Sequence, residues 1–171
     1  MTGYSFSDQD EQLFARESFE IHNLQDEIRV DQLCQRLLQC FRRDLEEKNF
    51  LAPAQAGALA HGADYFLREF VIPDRRENLF ILRPGRVRQF AGNWYILRSL
   101  EPNLAELETI LQGIAAFYAW CARVGRVSGE LAETVRQECS LLDFYRQRIE
   151  DFWAIEGDGY LAWERACTLK E

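Results

Sequence analysis

Residues 104–155 read LAELETILQGIAAFYAWCARVGRVSGELAETVRQECSLLDFYRQRIEDFWAI, and this stretch decides the fold class. Pro102 discourages helix before it, Asn103 is a good N-cap, and Glu106 stands where a capping-box carboxylate belongs. Leu107, Ile110, Leu111, Ile114, Phe117, Tyr118, Cys121 and Val124 then recur at the spacing that puts them on one helical face. Gly125 follows, where a left-handed C-terminal residue is usually needed. Ser128 is placed to cap a second helix with the stripe Leu131, Val135, Cys139, Leu142, Tyr145, Ile149 and Phe152, and Gly157 closes it. With a rise of about 1.5 Å per residue, the two arms are on the order of 30 and 40 Å long. So short a connection forces them antiparallel, with their stripes on a common core. The pattern predicts a long C-terminal helix hairpin over residues 103–156.

Upstream, Ser7 is placed to cap a first helix running to about Ile21 on Leu13, Phe14 and Phe19. A second helix, residues 24–48, carries Leu24, Ile28, Leu33, Cys34, Leu37, Leu38, Phe41 and Leu45 as its apolar stripe. Pro53 suits the first position of a third helix, which turns Leu59, Ala63, Phe66, Leu67, Phe70 and Val71 inward and which Pro73 stops. Ala54, Ala56, Gly57, Ala58, Ala60 and Gly62 crowd its first half and let another helix or a ligand approach the backbone closely, with helix packing the favoured reading. Residues 79–82 are extended or a helical turn. Pro84 opens a fourth helix on Val87, Phe90, Trp94 and Leu97; a strand over 94–97 is the alternative, without an obvious partner strand. A short final helix, residues 160–167, follows Gly157-Asp158-Gly159. The expectation is an all-α, single-domain bundle of about six or seven helices spanning residues 1–171.

A hydrophobic fraction of 47% and a charged fraction of 28% are those of an ordinary globular protein, and 171 residues suffice for one real core. No apolar run approaches the roughly 20 residues that span a bilayer. The first ten residues lack the basic start and apolar run of a signal peptide, so no membrane and a cytoplasmic location are expected. Cys34, Cys40, Cys121, Cys139 and Cys167 are an odd set without a C-x-x-C pair, and buried free thiols are their expected state. With His22 and His61 the only histidines, neither a zinc site nor a Glu-x-x-His di-metal site is expected, and no cofactor is implied. Residues 154–165 fail as a calcium loop, since Ala154 and Arg165 fall where acidic ligands are required. His61 and Asp64 lie three apart on one helix, which is common on surfaces and a weak basis for catalysis.

Charge is unevenly spread. Residues 1–72 and 101–171 each carry 7 basic and 13 acidic side chains, whereas residues 73–100 carry six arginines against Asp74 and Glu77. This basic connecting segment places Arg75, Arg76, Arg83, Arg86, Arg88 and Arg98 among Phe80, Phe90, Trp94 and Tyr95. Guanidinium groups neutralise phosphates and aromatic faces stack on bases, so an anionic partner is one reading. Pairing with acidic helices of the same chain is the other, and the net charge of −8 favours it over nucleic-acid binding.

Residues 117–127, Phe-Tyr-Ala-Trp-Cys-Ala-Arg-Val-Gly-Arg-Val, resemble a helix end in the core-binding domain of tyrosine recombinases, where an aromatic-rich helix ends at glycine and a basic residue. The Arg…His-x-x-Arg…Tyr series of their catalytic domain is absent, so the resemblance implies no activity. Four tryptophans and twelve phenylalanines are more than a bundle of this size strictly needs. Trp153 and Trp163, flanking the C-terminal turn, are the candidates for an exposed aromatic patch, with burial in the core the favoured alternative. The leading expectation is a non-catalytic module that binds a protein partner or itself. The alternative is nucleic-acid association through residues 75–98.

Overall fold

Ser7, Asn23, Asn103 and Ser128 each accept a hydrogen bond from the backbone N–H three residues on, and each starts an α-helix. A computed structural model describes residues 6–170, and among these every regular element is helical. The α-helices are α1 (Asp8–Leu13), α2 (Leu24–Glu47), α3 (Pro53–Asp64), α4 (Arg86–Gln89), α5 (Tyr95–Arg98), α6 (Leu104–Arg123), α7 (Gly129–Cys139), α8 (Leu142–Trp153) and α9 (Tyr160–Arg165). Two 3₁₀ turns, Arg16–Phe19 and Leu79–Ile81, lie between them. Wide π-helical turns continue α3 over Tyr65–Arg75 and join α4 to α5 over Phe90–Trp94. The run 94–97 is therefore helical, not a strand.

Several boundaries differ from the sequence expectation, each for a local reason. The first helix stops at Leu13 and resumes as a 3₁₀ turn instead of reaching Ile21. Pro73 does not stop the third helix; it sits in the last wide turn, where a missing N–H removes a single bond, and the chain leaves at Arg76 in the left-handed region (φ 49°). The second arm of the expected hairpin breaks at Ser140-Leu141 into α7 and α8. Ser140 Oγ donates to the Gln137 carbonyl and the Tyr145 hydroxyl to the Glu138 carbonyl, at 2.7 and 2.6 Å, which satisfies acceptors that the break frees. The last helix ends at Arg165, so Cys167 lies beyond it. Leu24 and Ile28, placed in the core stripe by periodicity, are 63% and 54% exposed. Burial along α2 begins only at Val30, and its first turns are held by polar contacts instead, Arg29 to the Glu20 carbonyl and Glu27 to Arg76.

The buried residues form one contiguous core from Phe6 to Trp163. α6 crosses α3 so closely that Gly62 and Gly113 meet backbone to backbone: a Cβ on Gly62 would lie 2.8 Å from the Ile110 carbonyl oxygen. Helix packing thus explains Gly62, whereas Ala54 and Ala58 are exposed and Gly57 faces the Arg42 side chain. Phe14, Phe19, Phe41, Phe66, Phe70, Phe80, Phe90 and Phe117 are all fully buried, which assigns most of the aromatic excess to the core. The indole N–H of buried Trp120 donates to buried Asp44 at 3.1 Å, tying α6 to α2.

All five cysteines are free and buried. Burial pushes the Cys34 and Cys121 thiols well up and the Cys139 thiol to about 12. Because the thiolate is the reactive form, the native protein is expected to resist a disulfide reagent at mildly alkaline pH and to release five equivalents on denaturation. Rapid reaction of even one native thiol would contradict this packing.

Candidate functional site

The six arginines of residues 75–98 are divided among different tasks. Arg75 pairs with Asp74 at 3.0 Å, donates to the Leu169 carbonyl at 2.6 Å and lies over the Phe70 ring. Arg76 is exposed and reaches Glu27 of α2 at 3.4 Å. Glu77 is the keystone. Its carboxylate accepts from Arg86 Nε at 2.7 Å, takes the Arg83 backbone N–H at 3.0 Å and lies 3.4 Å from Arg83 Nε. Arg86 is buried and also donates to Gln89 Oε1 at 2.7 Å. Arg83 itself is largely exposed. Arg88 is exposed, and Arg98 lies over the Trp94 ring at 5.5 Å.

A helix cap from a distant element explains another acidic residue of this region. Gly85 precedes α4 with φ +90° and no side chain to cap it. Glu138 of α7 does so instead, accepting the Gly85 and Arg88 backbone N–H groups at 3.0 Å each. The N-terminus of α4 is therefore already occupied by a carboxylate. Beside it, a groove of about 180 Å³ runs between α7 and residues 82–84, floored by Leu82, Leu131 and Val135.

Two open clefts flank α3 and share His61. One, of about 460 Å³, is lined by Gln35, Gln39, Arg42 and Asp64; the other, of about 500 Å³, by Tyr65, Ser99, Glu106 and Thr109. Asp64 is committed to Arg68, which also holds Asp31 through paired hydrogen bonds of 2.8 and 3.1 Å. A His61–Asp64 dyad is not assembled.

The C-terminal end is built around one buried guanidinium. Arg148 Nε donates to the Gly92 carbonyl at 2.8 Å, Nη1 donates to the Trp163 carbonyl, and Nη2 has no partner in the described structure. Its guanidinium lies 3.9 Å from the Trp163 ring centroid, and burial pulls its pKa below the ordinary arginine value. Asn93 donates to the Cys167 carbonyl at 2.6 Å. Together with Arg75 on Leu169, these side chains fasten residues 163–169 by their backbone carbonyls. The wide turn over Phe90–Trp94 belongs to this arrangement: a Cβ on Gly92 would come within 3.1 Å of Cys167 Sγ and 3.2 Å of Phe144.

This fastening separates the two candidate tryptophans. Trp163 is 6% exposed and donates its indole N–H to the Arg148 carbonyl at 2.9 Å, so it belongs to the core and not to an exposed patch. Trp153 is 60% exposed. Its N–H reaches the Pro102 carbonyl at 3.5 Å, which sets it against the turn that carries Leu100, a fully exposed leucine. A ladder of rings runs from Trp153 to Phe152 (5.9 Å between centroids), on to Trp163 (5.2 Å) and to Tyr160 (6.0 Å). Tyr160 and Leu161, at the start of α9, are exposed as well.

In comparisons with known proteins, no family model, curated protein or solved structure matches this chain. The case for a site rests on its residues. Of those singled out in the sequence, Trp153 lies at an exposed apolar surface, whereas Trp163, Arg75 and Arg86 are held internally. Leu100, Tyr160 and Leu161 were missed. Leu100 gave one signal, an apolar side chain in the turn between Ser99 and Pro102 that belongs to no helical stripe.

Proposed function

We propose that this chain is a non-catalytic protein-interaction module, and that its partner sits on the surface of Leu100, Trp153, Tyr160 and Leu161. The observation that carries the reading is the exposure of Trp153, at 60%, beside fully exposed Leu100. Aromatic anchors of this kind dominate the energy of protein interfaces, and clustered apolar exposure marks contact surfaces. The rings behind Trp153 are pinned by Arg148 and by the Trp163 hydrogen bond, so the anchor is held by a rigid base and little ordering is left for binding. We read the helices as one bundle over residues 6–170, with α6 and α7 folding back antiparallel. The five free thiols support a reducing, cytoplasmic setting. Nucleic-acid association through residues 75–98 has weaker support, because Arg75 and Arg86 are committed to Leu169, Asp74, Glu77 and Gln89.

Removing residues 157–171 would strip Arg148 of a partner and uncover Asn93, so substitutions at exposed positions are the cleaner probe. Affinity capture of the tagged protein from its own cell lysate, after nuclease, tests the reading. The wild type is compared with Leu100→Ser/Trp153→Ala and with Arg76→Ala/Arg83→Ala/Arg88→Ala. A stoichiometric protein retained by the wild type and the arginine variant, and lost from the patch variant, is the expected result. Retention by the patch variant overturns it, as does nucleic acid that is captured before nuclease treatment and lost with the arginines.

A further inference from the structure

The surface just assigned has a distinct electrostatic frame. Residues 150–161, which carry Trp153, Tyr160 and Leu161, contain Glu150, Asp151, Glu156 and Asp158 and no basic residue. Glu101 follows Leu100 in the adjoining turn. All five carboxylate residues are exposed, and among the described residues none of them is in an ion pair; Asp151 accepts only from Gln147, at 2.8 Å. Elsewhere on this chain some exposed acids find cations, as Glu133 does with Arg136 and Asp143 with Arg146, while others such as Glu17 and Glu47 stand singly and are not gathered around exposed apolar side chains. The nearest exposed cations in sequence are Arg98, which ends α5 and lies over the Trp94 ring, Arg146, which is paired with Asp143, and Arg165, which ends α9.

We infer that the partner presents a short basic, amphipathic helix whose apolar side meets Trp153 and Leu100 while its cations meet this acidic rim. The inference rests on the interaction reading and names the partner's chemistry. Opposite charge around an apolar centre speeds encounter and fixes register, and each exposed pair adds only a little affinity. A second copy of this chain would set five carboxylates against five, which works against self-association through this face. An anionic membrane surface is repelled for the same reason. No strand edge exists among the described residues to receive an extended peptide, which favours a helix as the form of the partner segment.

The test uses the full chain and a fluorescent amphipathic helix of leucine and lysine, about 20 residues long so that it is stably helical. Its counterpart carries glutamate in place of every lysine. Binding to the lysine helix is expected to weaken by about tenfold or more in Glu150→Lys/Glu156→Lys and in Leu100→Ser/Trp153→Ala, and to fall as salt rises. A control reversal of the same net charge at exposed positions elsewhere, Glu17→Lys/Glu47→Lys, is expected to weaken it by less than about threefold. Equal loss in the control would mean attraction to net charge alone, and equal binding of the glutamate helix would mean apolar contact alone; either overturns the inference. Absence of binding to the lysine helix also overturns it, yet leaves the interaction reading standing if lysate capture still depends on Leu100 and Trp153.

Discussion

Gly113→Ala is expected to destabilise the protein by about 3 kcal/mol and to lower its melting temperature by about 10 °C. The new Cβ would overlap the Leu59 carbonyl oxygen and come within 3.0 Å of the Ala63 nitrogen and the Gly62 Cα. These are backbone atoms, which no rotamer change can move aside, so α3 and α6 must separate. Gly62→Ala meets Ile110 in the same way from the opposite side. A single separation of the helices relieves both overlaps, so the double variant is expected to lose clearly less than the sum of the two. Thermal and urea unfolding of the three variants measures this. A Gly113→Ala protein as stable as the wild type would mean that the helices do not cross at these glycines.

The second large effect concerns Glu77. Its side chain is one-tenth exposed, as is that of Arg86, to which it bonds at 2.7 Å. Glu77→Ala leaves that guanidinium buried without its carboxylate, a change that costs about 3–5 kcal/mol when one member of a buried pair is removed. It also releases the Arg83 backbone N–H. Glu77→Ala/Arg86→Met, which removes both charges, is expected to recover much of the loss, because two buried charges no longer need each other. Denaturant midpoints with unchanged slopes would establish this. If Glu77→Ala alone were harmless, the basic segment would not be held from within, and its arginines would be free for an outside anion.

Helix starts were legible in the sequence because a cap is a contact within four residues. Ser7, Asn103 and Ser128 act as their spacing implied, and Gly125 takes positive φ just past the end of α6. Gly157 takes positive φ too, but in the turn before α9, four residues after α8 has ended. What tertiary partners decide was not legible. Periodicity put Leu24 and Ile28 inside, but nothing in α2 itself says where its covering helices begin. Likewise, the small residues of α3 announced a close approach, whereas the matching glycine of α6 is one residue in an otherwise ordinary stripe. Even the capping box is only half local: Glu106 bonds the Tyr95 hydroxyl at 3.1 Å, and that hydroxyl receives the Asn103 N–H at 3.2 Å.

The candidate site divides along the same line. Trp153 and Trp163 stand on either side of one turn and look alike in sequence. Arg148, in no ion pair among the described residues, draws Trp163 inward and leaves Trp153 outside. Arg83 and Arg86 are three apart and share Glu77, yet one is largely exposed and the other buried. Composition located the basic segment and favoured internal pairing, and the placement of Glu77, Asp74 and Leu169 shows which arginines are used that way. Two of the three partners lie inside the segment itself and not on the acidic helices.

The central claim is that a protein partner contacts this chain at Trp153 and Leu100. A photo-crosslinking residue such as benzoylphenylalanine, placed singly at positions 153, 83 and 88 of the full chain, reads that contact directly in the cell lysate. The account predicts one discrete, nuclease-resistant protein adduct from position 153 and none from positions 83 and 88. Adducts confined to positions 83 and 88, or nucleic acid joined there, would contradict it.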